Sequence, residues 1–345
     1  MFNNIYEKIK RFMKNNLGLI IFVVVFVTLT FGRLPYDVNM PGGLIDLSDR
    51  VEVNGKDVDI DGTFNMAYVS SVSGSIPHIL LSFVIPDWDV VPSSDSTYEN
   101  ETYEEARRRN KLYLEQSKDY ATAVAFDVAK IDYEVSNRIN YVAYIDKKAK
   151  TTLQVGDDIL ELNGESVEDI NVMSDLIQKL DTGSKIEFLV ERNGKEVKAT
   201  ATTYEEDGKK YVGISALTTF DMKSDVDIEI NTKESESGPS GGLMMTLMVY
   251  NAVTNQDLTH GKKVVGTGTI NLDGSVGEIG GVKYKVIGAV KEGADIFLVP
   301  KGNYKEALAV KKEKGYDIEV VSVKTFSDAV NYLEGLKWDT TIKKF

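Results

Sequence analysis

The sequence predicts a multidomain protein of mixed α/β and α+β class, with an N-terminal transmembrane helix ahead of a β-rich segment and two folded domains. Three observations carry that expectation. An uncharged run, NNLGLIIFVVVFVTLTFG, extends from Asn15 to Gly32 behind a basic stub. A middle stretch alternates strands, a helix and Asn-Gly turns, and the last third alternates apolar strands with helices.

The stub carries Lys8, Lys10, Arg11 and Lys14 against one acid, Glu7. An apolar run of this length lies near the lower limit for spanning a bilayer. A secretory signal peptide is the rival reading, but no A-x-A-like cleavage site follows, which favours a retained anchor over residues 1–33. Basic residues stay on the cytoplasmic side, so everything after Arg33 is expected outside a plasma membrane, on a single-pass tether.

Composition removes several functions. The formal net charge of -13 opposes nucleic acid as a partner. There are no cysteines and only two histidines, His78 and His260, so thiolate sites and the common zinc spacings are absent and no cofactor or metal is expected.

Residues 34–125 read as β-rich with a helical insertion. VEVNGKDVDIDG forms a strand and turn, FNMAYVSSVSG and HILLSFVI are strand candidates, and EEARRRNKLYLEQSKDYATAVAFDVAKI is the helix. Residues 126–205 follow with strand, turn at Asn163-Gly164, helix from about Asn171 to Leu180, strand, Asn193-Gly194 hairpin and strand. The LQVGDDILELNG run within them resembles the PDZ domains of bacterial proteases, which implies recognition of a peptide added as an edge strand. The glycine-bearing carboxylate loop of that family is not apparent, because YEVSNRINYVAYIDKKAK occupies its place.

Residues 206–345 form the last domain, and GPSGG at 238–242 is its focus. It lacks the lysine of a phosphate-binding loop. It fits G-x-S-x-G, yet a Ser-His triad is poorly supplied, since His260 sits in a polar turn soon after the serine. Read alone, Ser240 is an ordinary helix cap.

A second motif changes that reading. TGTINLDGSVGEIGGVKYK, followed by the apolar strand DIFLVPK, together with GPSGG resembles the proteolytic domain of the Lon family, which uses a Ser-Lys dyad. With the anchor and PDZ-like stretch in front, the whole chain resembles the membrane-anchored PDZ-Lon serine proteases of Gram-positive bacteria. The resemblance implies Ser240 as nucleophile, Lys285 as base and Thr267 as a supporting residue, while the Gly-Pro-Ser-Gly-Gly turn at a helix start offers the amides of Ser240 and Gly241 as supporting donors to a developing oxyanion. The resemblance also implies protein or peptide substrates and assembly into homo-oligomers.

The chemistry fits those residue types. A lysine removes a serine proton only when neutral, and bringing its pKa from about 10.4 to about 7 to 8 requires desolvation. Helical spacing alone places Lys283 near the centre of the apolar stripe of Val282, Val286, Ile287, Ala289 and Val290, with Lys285 on its border. Lys283 therefore stays open as the alternative base. The acids that many Lon domains carry beside these motifs are replaced by Ser237 and Thr269. No Walker A run precedes the domain, so proteolysis of flexible or unfolded segments without ATP is the expected activity. A non-catalytic PDZ scaffold tethered to the membrane is the alternative function.

Overall fold

The computed structural model describes residues 2–58 and 60–338. Along the chain, α1 (Phe2–Asn15) and α2 (Leu17–Phe31) precede β1 (Tyr36–Asp46), β2 (Val51–Val53), β3 (Lys56–Asp57), β4 (Thr63–Ser73), α3 (Ile76–Ser82), β5 (Asp89–Pro92) and α4 (Tyr103–Ala129). A middle group comprises β6 (Glu134–Ile145), β7 (Lys150–Thr151), β8 (Asp158–Leu162), β9 (Glu165–Ser166), α5 (Ile170–Gln178), β10 (Lys185–Glu191) and β11 (Glu196–Thr202). It continues through β12 (Tyr204–Glu206), β13 (Lys209–Tyr211) and β14 (Ile214–Lys223). The last group is β15 (Ile228–Ile230), α6 (Gly242–Thr254), β16 (Lys263–Gly266), β17 (Thr269–Ile270), β18 (Val276–Gly277), α7 (Val282–Lys291), β19 (Ile296–Pro300), α8 (Tyr304–Lys314), β20 (Glu319–Val323) and α9 (Phe326–Glu334).

These elements form two compact units, one of residues 1–41 with 69–96 and one of residues 42–68 with 97 onward. In the first, the basic stub and the apolar run form separate helices. Asn16 leaves helical geometry at φ -114° and ψ 16°, and the chain bends by 74° between α1 and α2. Among the described residues no single helix is long and apolar enough to cross a membrane, and only the bent pair has the length and composition together. HILLSFVI, expected as a strand, is instead helix α3 and its exit. Ser75 precedes the helix with Pro77 in the first turn, where a missing N–H costs nothing. Strand propensity failed here because these apolar side chains are exposed, with Phe83 at 80% and Val84 at 79%. Side chains this exposed gain little from the packing that makes strand propensity count.

In the second unit, β20, β19, β16, β4 and β1 lie in that order. β4, β16, β19 and β20 are parallel, and Val264 pairs with Phe64 and Ile296. Successive residues face opposite ways along such strands. Val264, Ile296 and Leu298 join a core with Leu114 of α4, Leu243 of α6 and Phe326 of α9. Val265, Phe297 and Val299 join another with Val286 of α7 and Ala307 of α8. Helices thus cover both faces, and β19 is buried along its whole length, as a central parallel strand requires. The segment expected to stand apart at 34–125 does not: β4 is a member of this sheet because its Phe64 and Met66 fill the core beneath α6.

The middle residues form a separate sheet, β14-β6-β8-β10-β11-β7, with β9 paired to β8. Alternation in β10 sends Ile186, Phe188 and Val190 inward, where they meet Met173 and Ile177 of α5. Arg192 closes the β10 end with two bonds to the Asp157 carboxylate, at 2.6 and 2.7 Å. β14 had been expected to open the last domain. It belongs instead to this sheet, pairing with β6 from Ile214↔Ile145 to Lys223↔Glu134.

Candidate active site

Ser240 lies in the turn that enters α6, and three glycines explain why the chain can make that turn. Gly238 sits at φ 89°, which other residues rarely adopt. Gly241 and Gly242 carry the chain into a helix whose first ten residues are all buried. A methyl on Gly242 would fall 2.7 Å from Ser117 Oγ and 2.9 Å from the Ile270 amide nitrogen, so the close approach itself demands glycine. The turn is held to the strand exit opposite, where Gly268 N–H donates to Ser240 O at 2.8 Å and Leu243 N–H donates to Gly268 O at 3.0 Å.

Lys285 comes from the first turn of α7. The entry to that helix is fixed by Asn303, which accepts from Ile279 N–H at 2.9 Å and donates back to Ile279 O at 3.0 Å. Gly281 then takes a left-handed conformation at φ 71°. The structure brings Lys285 Nζ to 2.8 Å from Ser240 Oγ and 2.8 Å from Thr267 Oγ1. Thr267 O–H donates to the Ser240 carbonyl at 3.0 Å. Lys285 is 3% exposed and Thr267 is fully buried.

The border position expected for Lys285 is therefore corrected. α7 buries seven of its ten residues, Lys285 among them, because the sheet and neighbouring elements enclose it on more sides than a single-stripe helix. Lys283, the alternative base, is half-buried. Burial alone moves Lys285, from its ordinary 10.5 down to about 7. No charged partner is among the causes, so the site makes a neutral amine by excluding water.

Chemically, a neutral amine has one lone pair and two N–H bonds. Donating one N–H to Thr267 Oγ1 turns the lone pair toward Ser240 Oγ, which can then donate its proton to nitrogen. Among the described residues, the amides of Ser240 and Gly241 have no hydrogen-bond acceptor. Both lie at the positive end of α6, suited to a developing oxyanion. Of the residues singled out in the sequence, Ser240, Lys285, Thr267 and Gly241 thus lie together. His260 is not among them: it packs edge-on against Trp338 with ring centroids 4.9 Å apart. Ser117 and Asn303 escaped the sequence reading, and Ser117 in particular belongs to no motif. A serine between Gln116 and Lys118 on a long helix carries no signal of its contact with Pro239, 122 residues downstream.

A nucleophilic hydroxyl, a desolvated amine and a second hydroxyl at these distances are the parts of a serine-lysine hydrolase site, set on an α/β fold. The model of the Lon protease (S16) C-terminal proteolytic domain matches residues 154–334, more than half of the chain, and the chain belongs to that family. The match begins inside the middle sheet. Similar relatives include the Lon protease of Mesomycoplasma hyopneumoniae (strain 232), 29% identical over 136 residues, which are 39% of this chain and 15% of that protein. The Lon protease of Vibrio parahaemolyticus serotype O3:K6 is 26% identical over 220 residues, 63% of this chain and 25% of that protein. The chain thus matches a quarter or less of the length of these relatives. Among solved structures, the PDZ domain of an SdrC-like protein from Listeria monocytogenes covers 24% of this chain and 93% of its own, at 20% identity and a TM-score of 0.22.

Proposed function

We propose that the protein is a membrane-anchored serine endopeptidase that cleaves flexible or unfolded protein segments without ATP. The observation that carries the reading is the 2.8 Å approach of a buried, water-excluded Lys285 amine to Ser240 Oγ. In the reaction, Ser240 Oγ attacks the scissile carbonyl carbon as its proton passes to Lys285 Nζ. The carbonyl oxygen gains the charge and is met by the Ser240 and Gly241 amides. The resulting ammonium returns its proton to the leaving amine, and a water then repeats the sequence on the acyl-enzyme.

The finer parts of the reading rest on separate supports. Residues 34–205 contain no G-x-x-x-x-G-K-[ST] run and fold into the strands and helices described above, which favours substrates that are already unfolded. The apolar helix α2 follows Lys8, Lys10, Arg11 and Lys14, which favours a cytoplasmic N-terminus and an extracytoplasmic body. In the same unit, α3 and its exit leave Leu80, Leu81, Phe83 and Val84 exposed, apolar surface suited to lie at a bilayer. An anchored enzyme meets anchored substrates at high effective concentration. The middle sheet, with β14 as an edge strand, supports peptide recognition by strand addition.

The test is incubation of the detergent-purified full chain with a denatured protein in ATP-free buffer, wild type beside Ser240→Ala. Fragments that accumulate only with the wild type are the expected result. Equal fragment yield from both would remove Ser240 from the chemistry, and no cleavage by either would leave a binding protein.

A further inference from the structure

One stretch of α4 reaches both the nucleophile turn and the middle sheet. On the turn side, Asn110 O accepts from Gly238 N–H at 2.8 Å, and Ser117 Oγ donates to Pro239 O at 3.3 Å. Ser117 is 3% exposed and lies against the Gly242 α-carbon, so it braces the Ser240 turn before and after the nucleophile. On the sheet side, Gln116 Nε2 donates to Thr218 O at 3.1 Å, and Asp119 Oδ2 accepts from Phe220 N–H at 3.0 Å.

The second pair of bonds has a particular location. β14 ends the order of its sheet, bonded to β6 on one side only. An edge strand's outward N–H and C=O groups are where an extended segment adds. Here Gln116 and Asp119 fill two of those positions with side chains. Both residues flank Ser117 within a single helical turn. Burial pushes the Asp119 carboxyl up to about 7, and the bond from Phe220 N–H opposes that shift.

We propose that α4 couples the edge of the middle sheet to the catalytic turn: Ser117 is a positioning residue for Ser240, and Gln116 and Asp119 hold α4 in the seat that keeps it there. Losing those two ties loosens the Gly238–Gly242 turn and slows the nucleophile. The proposal rests on Ser240 as the reactive residue only for its kinetic consequence. The mechanical link does not depend on it.

Hydrogen exchange and Ser240 labelling on the full chain test both parts. In the double variant Gln116→Ala, Asp119→Ala, which leaves every group of the dyad in place, the Phe220 amide loses its acceptor and exchanges faster. Coupling predicts that the Gly238 segment, on the opposite side of α4, also exchanges at least ~5-fold faster, as a locally loosened segment does. It also predicts that a fluorophosphonate labels Ser240 about 3-fold more slowly, a modest coupling free energy. Ser117→Ala should speed exchange at Gly238 and leave Phe220 unchanged. Should the double variant fail to fold, the single Asp119→Ala, which by itself removes the acceptor of the Phe220 amide, is read the same way. Faster exchange at Phe220 with Gly238 and labelling both unchanged would overturn the proposal. Faster exchange at Gly238 with no labelling of any variant would uphold the link and refute Ser240 as nucleophile.

Discussion

Replacing Lys285 by methionine is expected to lower kcat/KM for an unfolded protein substrate by ~1,000-fold or more, and Ser240→Ala to do the same. Both losses have one origin. Ser240 Oγ is a weak nucleophile until its proton has somewhere to go, and Lys285 Nζ at 2.8 Å is the group placed to take it. Methionine preserves the length and apolar packing of the lysine stem in α7 but offers no basic nitrogen. Because the two residues act as a unit, the double variant should be no worse than either single one, since removing the second partner of a broken pair subtracts nothing further. Rates from progress curves on a labelled, denatured protein check this. Additive losses in the double variant, or substantial turnover in Lys285→Met, would count against the dyad.

The same substitution should stabilise the fold while silencing it. Lys285 is lowered from 10.5 to about 7, so in the folded state its amine is neutral above pH 7, whereas in the unfolded chain it binds a proton up to about pH 10.5. Folding therefore releases a proton between those values, and the native state loses stability as pH falls from 10.5 toward 7. Below 7 both states are protonated and the penalty is constant. Desolvation of this size corresponds to about 5 kcal/mol. Methionine removes it but leaves the Ser240 and Thr267 hydroxyls short of a partner, at about 1 kcal/mol each. The net expectation at pH 7 is a gain of about 3 kcal/mol, shrinking to nothing or less by pH 10.5. Chemical denaturation at pH 7 and pH 10 measures it. A destabilised variant at pH 7 would mean that the amine is not held at the cost its burial implies.

How much of this could be read from the sequence depends on what each feature is made of. The glycines around Ser240 and the paired lysines after Gly280-Gly281 are local signals, since backbone freedom and helix entry are dictated within a few residues. Their meeting at 2.8 Å is not local, and it was legible only through the resemblance that set two separated motifs side by side. Helix periodicity misjudged Lys285. It assumes one buried stripe, while α7 is packed on most of its circumference against the sheet that carries Phe297 and Val299. The strand assigned to HILLSFVI followed side-chain preference, and exposure of Phe83 and Val84 left the first-turn Pro77 to decide for helix. β4 read correctly as a strand and β14 fell among the residues assigned to the last domain, but which sheet each joins is a long-range matter. β4 reaches β16 some 200 residues later, and nothing in either strand names the other. α4 was likewise legible as a helix, from its charged start and apolar finish, while its two opposed sets of hydrogen bonds emerge only from packing.

We propose that water exclusion alone makes the Lys285 amine a base at neutral pH and that this base activates Ser240. The most direct measurement is the rate at which a fluorophosphonate labels Ser240 from pH 5.5 to 9.5, in the wild type and in Lys285→Met. The wild-type rate should rise through one ionisation near pH 7, where Lys285 gives up its proton, and then level off, while the variant stays at a low, flat rate. A wild-type rate with no ionisation near 7, or a variant that labels as the wild type does, would contradict it.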